Sequence, residues 1–244
     1  MQAESYATGV ATERRQIFIT GTSRGIGKAL AEYYLSLGDE VVGCSRTPSP
    51  IDHPNYAHLI ADLTQSDEIK TLMSTLRSRK KCIDVLINNA GAASMTPAAL
   101  QPPDSSRRLV ELNFNSVVHI THDAIRLLKR SRHGRIINLT TVAVPWRLEG
   151  EAIYSATKAA IEQWTRVLAK ELGPLGITCN AIGPSPIETD LIRAVPKHKI
   201  DKLLARQAIP RFGTMVDMCH AISFFLDPKS DFLTGQVLYL GGAG

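Results

Sequence analysis

The sequence predicts an α/β protein built on one doubly wound parallel sheet of about seven strands, with helices on both faces. Seven short apolar runs, QIFIT (16–20), VVGCS (41–45), AHLIA (57–61), DVLINN (84–89), RIINLT (135–140), ITCNAI (177–182) and QVLYL (236–240), alternate with longer stretches of helical period. Strands spaced by helices make a parallel sheet covered on both sides, and such strands read as continuous apolar runs. No repeat of about 20–50 residues and no Ser/Gly-rich linker interrupts the 244 residues, so they form a single domain.

The elements follow in order. Residues 1–15 carry two acids and no apolar run, and read as an N-terminal extension ahead of a domain spanning 16–244. A first helix opens near Gly25, carries Ile26, Leu30, Tyr34 and Leu37 at helical spacing and ends at Gly38, closing a βαβ unit over 16–45. TQSDEIK after Asp62 starts a second helix, and 92–106 is the longest expected surface loop. LVELNFNSVVHITHDAIRLL is helical, with a stripe through Leu109, Val117, Ile120, Ala124 and Leu127. The basic run KRSRHGR (129–135) reads as its solvated end, where cations suit a helix C-terminus. YSATKAAIEQWTRVLAKEL carries Ile161, Trp164, Leu168 and Leu172 at helical spacing, and 184–214 is the segment expected to move.

Composition narrows the function. Hydrophobic residues at 44% and charged residues at 21% exclude disorder, collagen and a disulfide scaffold. A net charge of +5 favours anionic ligands without requiring nucleic acid. Four dispersed cysteines with no CxxC pair read as reduced thiols, and no window reaches the ~18 apolar residues of a membrane span. A cytoplasmic protein is expected. His119 and His122 share a helix side but lack a third ligand, so no metal is expected.

At the end of the first strand stands TGTSRGIG (20–27), with Gly21, Gly25 and Gly27 enclosing Ser23, Arg24 and Ile26. Glycine permits positive φ and lets backbone approach a ligand. A helix opening there points free N–H groups and its positive dipole end at a pyrophosphate. Strand, glycine turn and helix stand in the order a dinucleotide site requires, with a plain βα turn as the alternative.

The GxxxGxG spacing, with NNAG at 88–91 and YSATK at 154–158, closely resembles the short-chain dehydrogenase/reductase family, particularly members similar to 3-oxoacyl-carrier-protein reductases. The resemblance runs from about Gln16 to Gly244 and implies a Rossmann-type fold, a nicotinamide cofactor and hydride transfer between it and a carbonyl or secondary alcohol. NAD-binding members end the second strand with an acid that holds the ribose 2′-hydroxyl. Here Ser45 and Arg46 stand there, with Arg24 in the glycine loop. A carboxylate would repel a 2′-phosphate and a guanidinium pairs with it, so NADP(H) is expected. The resemblance also sets Asp62 and Leu63 at the adenine, Asn89, Ala90 and Gly91 against the cofactor, and Pro184, Ile187 and Thr189 at its carboxamide end, with Tyr154 and Lys158 completing the set. Asp62 equally suits a helix cap. Ser185 replaces the family's usual glycine.

Tyr154 and Lys158, four apart, share one helix face. A neighbouring ammonium lowers the phenol pKa, so Tyr154 can exchange a proton with a carbonyl oxygen while hydride reaches the carbon. Lys158 is also implied to hold the nicotinamide ribose. Thr141 stands where the family places a serine that bonds the substrate oxygen; Thr140 is the alternative hydroxyl, but consecutive strand residues face opposite ways. Asn113 falls on an apolar helix stripe and so needs partners, either as a core amide bonded to local backbone or as the family's fourth catalytic-site residue in a proton relay. The expected substrate is a small carbonyl or alcohol, or an acyl thioester. Arg132 matches one carrier-protein contact of the family, whereas Leu175 replaces the arginine of the other. A homotetramer or dimer built on the helices within 107–130 and 154–172 and on the C-terminal segment is implied. A catalytically silent NADP-binding regulator is the rival reading, and a nucleotide-sugar epimerase a third.

Overall fold

The computed structural model describes residues 14–188 and 197–242. Each apolar run is a strand: β1 (Gln16–Thr20), β2 (Glu40–Ser45), β3 (Tyr56–Ile60), β4 (Val85–Asn88), β5 (Gly134–Leu139), β6 (Ile177–Gly183) and β7 (Val237–Tyr239). All pair in parallel, in the order β3-β2-β1-β4-β5-β6-β7. The winding reverses between β1 and β4, and an open sheet of this kind binds ligands beyond the carboxyl ends of its strands at that reversal.

Alternation along the strands feeds two apolar layers. Phe18, Val42, Leu86 and Ile136 face α2 (Ser66–Arg79), α4 (Ser116–Leu128) and α6 (Ala152–Leu172), whose Leu72, Ile120 and Leu168 join them. Ile17, Ile19, Val85, Ile87 and Ile137 face α1 (Gly25–Ser36) and α8 (Met215–Leu226), meeting Leu30, Tyr34, Met218 and Ile222. Burying each such side chain contributes about 1.5–3 kcal/mol. The other helices are α3 (Pro103–Val110), the single turn α5 (Ala143–Trp146) and α7 (Lys197–Ala205).

Several sequence expectations need correction. Leu37 does not continue the buried stripe of α1: it follows the last helical residue and is exposed, before Gly38 turns the chain at φ 89°. The loop expected over 92–106 ends early, because Pro103 opens α3 from a first-turn position where its missing N–H costs nothing. Between α3 and α4 the helix widens into one π turn, Glu111–Asn115. The stripe through Leu109, Val117, Ile120, Ala124 and Leu127 is buried as expected.

The basic run 129–135 is solvated at Arg132 but not at Arg135, which lies inside β5 and is fully buried. Its guanidinium pairs with Asp231 and donates to the Gly134 carbonyl, as a buried cation must. Residues 1–13 of the expected extension lie outside the described residues. Arg14 and Arg15 already belong to the domain: Arg15 forks onto Asp39 at 2.6 Å, and Arg14 pairs with Glu40 at 3.0 Å.

Candidate active site

The glycine turn is fixed by three strands. Gly21, at φ 79°, and Thr22 donate to the Cys44 carbonyl of β2 at 2.7 and 3.2 Å. Thr20 Oγ1 accepts from the Asn89 and Ala90 amides after β4, both at 3.0 Å, while Asn89 Nδ2 donates to the carbonyls of Thr20 and Gly21 at 2.8 and 3.2 Å. A Cβ on Gly27 would lie 2.2 Å from the Gly21 carbonyl oxygen and 2.3 Å from Asn89 Nδ2. Only glycine lets α1 approach this closely. No side chain caps α1, and a Cβ on Gly25, at φ 59°, would meet nothing within 4 Å, so the helix opens its first N–H groups toward free space. These residues fit a pyrophosphate. Ser23 is half-buried, Arg24 exposed and Ile26 packed at the core's edge.

Ser45 ends β2 half-buried, and Arg46 follows it into solvent. Asp62 is not a helix cap: α2 begins at Ser66, behind Gln65, and the Asp62 carboxylate instead accepts from the Thr64 amide and hydroxyl at 3.0 and 2.8 Å. Burial opposes its ionisation, yet the Thr64 bonds and the charges of Arg46 and Arg108 hold it below the usual carboxylate range. Leu63 is core, so of this pair Asp62 is the one with a polar group to present. The asparagines do tie strands together, Asn88 Nδ2 donating to Asn138 Oδ1 at 2.8 Å across β4 and β5.

The reacting groups converge where β5 ends against α6. Three consecutive residues each hold one side chain of that helix. The Leu139 carbonyl accepts from Lys158 Nζ at 2.7 Å, Thr140 Oγ1 donates to Glu162 Oε1 at 2.6 Å, and the Thr141 hydroxyl acts on Tyr154, opposing the rise of its pKa. Strand alternation therefore assigns Thr141 to the tyrosine and turns Thr140 away. Thr141 Oγ1 also accepts from the Ala143 amide at 3.2 Å, which leaves its own hydrogen to donate. A Cβ on Gly91 would lie 3.4 Å from Lys158 Nζ and 3.2 Å from Asn113 Oδ1, so any side chain here would crowd both. Asn113 is fully buried on the π turn. It accepts from the Ala92 amide and donates to the Ala92 carbonyl, both at 2.9 Å, and reaches Thr157 at 3.2 Å. The reading of a core amide bonded to backbone describes its side chain.

One expectation fails electrostatically. The ammonium does not lower the Tyr154 pKa: burial pushes the phenol up to about 12, with Thr141 opposing and the Glu151 charge adding to the rise. Lys158 donates one hydrogen bond to the Leu139 carbonyl, and its own burial lowers it to about 8.

At the far end Pro184 is half-buried and Ile187 is bridged to Gly213, whereas Thr189 lies outside the described residues. Ser185 is buried toward the C-terminal segment, its Oγ 3.1 Å from where a Cβ of Gly213 would stand and its Cβ 3.4 Å from one at Gly241. Arg206, just past α7, sits 5.2 Å over the Trp146 ring and donates to its carbonyl at 3.2 Å.

Sequence reasoning missed two carboxyls. Glu151, three before Tyr154, is half-buried, and burial raises it to about 7. Glu162, which also accepts from the Tyr239 hydroxyl at 2.6 Å, stands four after Lys158 and was findable as the next residue on the catalytic face. Among the described residues no group of three or more potential ligands gathers for a metal, and no helix is long and apolar enough to cross a membrane.

A family profile described as short chain dehydrogenase matches residues 15–200. The chain belongs to the short-chain dehydrogenase family. It is therefore an oxidoreductase that works with a nicotinamide cofactor. Among its relatives, the 3-oxoacyl-[acyl-carrier-protein] reductases FabG of Escherichia coli and Vibrio cholerae are each 28% identical over 236 residues, covering 94% of this chain and 97% of theirs. The ligand-free aldohexose dehydrogenase of Thermoplasma acidophilum superposes with a TM-score of 0.87 at 28% identity over 96% of both chains. A Serratia marcescens short-chain dehydrogenase/reductase double mutant superposes at 0.85 with 25% identity, over 94% of this chain and 97% of that one.

Proposed function

We propose that this short-chain dehydrogenase reduces a ketone or 3-oxoacyl group with NADPH. The carrying observation is the hydroxyl pair Tyr154–Thr141 beside buried Lys158 at the carboxyl end of β5. The glycine turn, Asn89, Gly91 and Lys158 would hold a nicotinamide, which when bound would supply hydride for the carbonyl carbon. Tyr154 gives its proton to the carbonyl oxygen, while the Thr141 hydroxyl orients that oxygen. A phenol held near 12 is protonated at neutral pH and so can serve as the acid of the reduction. Lys158, its pKa near 8, can hand on a proton through the polar groups at Asn113 once Tyr154 has given up its own.

Arg24 and Arg46, flanking Ser45 with no acid at the end of β2, support NADP(H) over NAD(H). Exposed Arg132 supports an acidic carrier, and Leu175 argues against one. Exposed Val110, Val167, Leu238 and the fully exposed Phe232 support a homo-oligomer built on α3, α6 and the β7 edge. Four unpaired cysteines suit the cytoplasm. The test is NADPH oxidation against a panel of ketones and 3-oxoacyl thioesters, with Tyr154→Phe alongside. The variant should bind NADPH as wild type does and lose about 100-fold or more in kcat. A wild type that binds NADPH and reduces none of the panel, or a variant as fast as wild type, overturns the assignment.

A further inference from the structure

A hydrogen-bonded array lies behind the end of β2 that the reaction does not use. Thr22 of the glycine turn stands 2.8 Å from the Tyr56 hydroxyl, which stands 2.8 Å from His58 Nδ1 on β3. On the other edge of the ring, His58 Nε2 is 3.0 Å from both the Thr47 carbonyl and Ser45 Oγ, while Ser45 Oγ donates to that same carbonyl at 2.7 Å. Room for the array comes from Gly43, where a Cβ would lie 2.2 Å from Thr22 Oγ1 and 2.4 Å from the Tyr56 hydroxyl.

The partners fix the tautomer. A carbonyl only accepts, so Nε2 carries the hydrogen and Nδ1 accepts from Tyr56. Burial holds the ring below the ordinary histidine pKa, against the Thr47 bond, so it is neutral at pH 7. Ser45 has one hydrogen and two claimants for it, the Thr47 carbonyl and any phosphate at the end of β2. We propose that His58 is a specificity-determining positioning residue: its Nε2–H keeps the Thr47 carbonyl satisfied when the Ser45 hydroxyl, which donates to that carbonyl here, turns to the 2′-phosphate of NADPH. Without His58, Ser45 stays bound to Thr47. This rests on the NADP(H) reading above.

The experiment is fluorescence titration of NADPH and NADH into wild type, His58→Ala, His58→Gln, Ser45→Ala and the His58→Ala/Ser45→Ala double variant. His58→Ala should weaken NADPH about tenfold, the worth of one good hydrogen bond, and leave NADH within about twofold. NADH binding is thus the internal control for folding. Gln places its amide N–H near the position of Nε2, so His58→Gln should keep most of the preference. In the Ser45→Ala background, His58→Ala should add no further loss, because residues acting through one contact are not additive. A wild type that binds both nucleotides alike overturns the NADP(H) reading and this proposal with it. A wild type that prefers NADPH overturns the role of His58 alone if His58→Ala keeps the preference, weakens both nucleotides equally, or adds its full effect to Ser45→Ala.

Discussion

Lys158 is required for the reaction proposed here and is a burden on the fold. Its burial lowers the ammonium from an ordinary 10.5 to about 8, so below pH 8 the folded chain holds a charge that the unfolded chain would solvate better. Each pKa unit is about 1.4 kcal/mol, which sets the full cost near 3 kcal/mol at pH 7. The sign follows from proton counts: between about pH 8 and 10.5 the unfolded state binds more proton at this site than the folded one, so stability rises with pH there. Wild type should gain roughly 2 kcal/mol between pH 7 and 9.5 that Lys158→Met does not gain. The variant loses the bond to the Leu139 carbonyl at every pH, about 1–3 kcal/mol, which shifts its curve without tilting it. Urea denaturation of both proteins across this range measures the difference, and other titrating groups cancel between them. Parallel curves would refute the reasoning, because they would mean that the ammonium is solvated as well folded as unfolded.

Two further substitutions probe the walls of the site. Gly27→Ala places a Cβ 2.2 Å from the Gly21 carbonyl oxygen; overpacking of this kind costs roughly 1–3 kcal/mol, and as the strain falls on the phosphate turn, nucleotide Kd should rise about tenfold or more. Asn113→Ala leaves the Ala92 amide and carbonyl without their partner, so its urea midpoint should fall by the equivalent of about 2–5 kcal/mol; a loss below about 1 kcal/mol would mean that water replaces the amide.

The strands were legible because a parallel sheet covered on both faces needs unbroken apolar runs, and each run from QIFIT to QVLYL became one. Asn113 was legible because an amide on an apolar stripe must find partners. The π turn that carries it was not, since a locally widened turn leaves the surrounding periodicity intact. The Tyr154 pKa was misjudged because spacing on a helix gives proximity but not burial, and burial is what raises the phenol. The His58 array stayed hidden for another reason. Its members come from a turn, two strands and a loop, brought together by strand register, with His58 opposite Gly43, and no pattern in the chain records that register.

The contacts of Leu139, Thr140 and Thr141 with Lys158, Glu162 and Tyr154 work like a comb, three consecutive teeth at the end of β5 engaging three of one helix. Acid, cation and orienting hydroxyl thus share one rigid frame, and none can be re-aimed without dragging the others. If the proposed chemistry is right, variation in what the enzyme accepts falls to places outside that frame, such as α7, which buries none of its side chains. A lineage can then exchange selectivity while inheriting the chemistry.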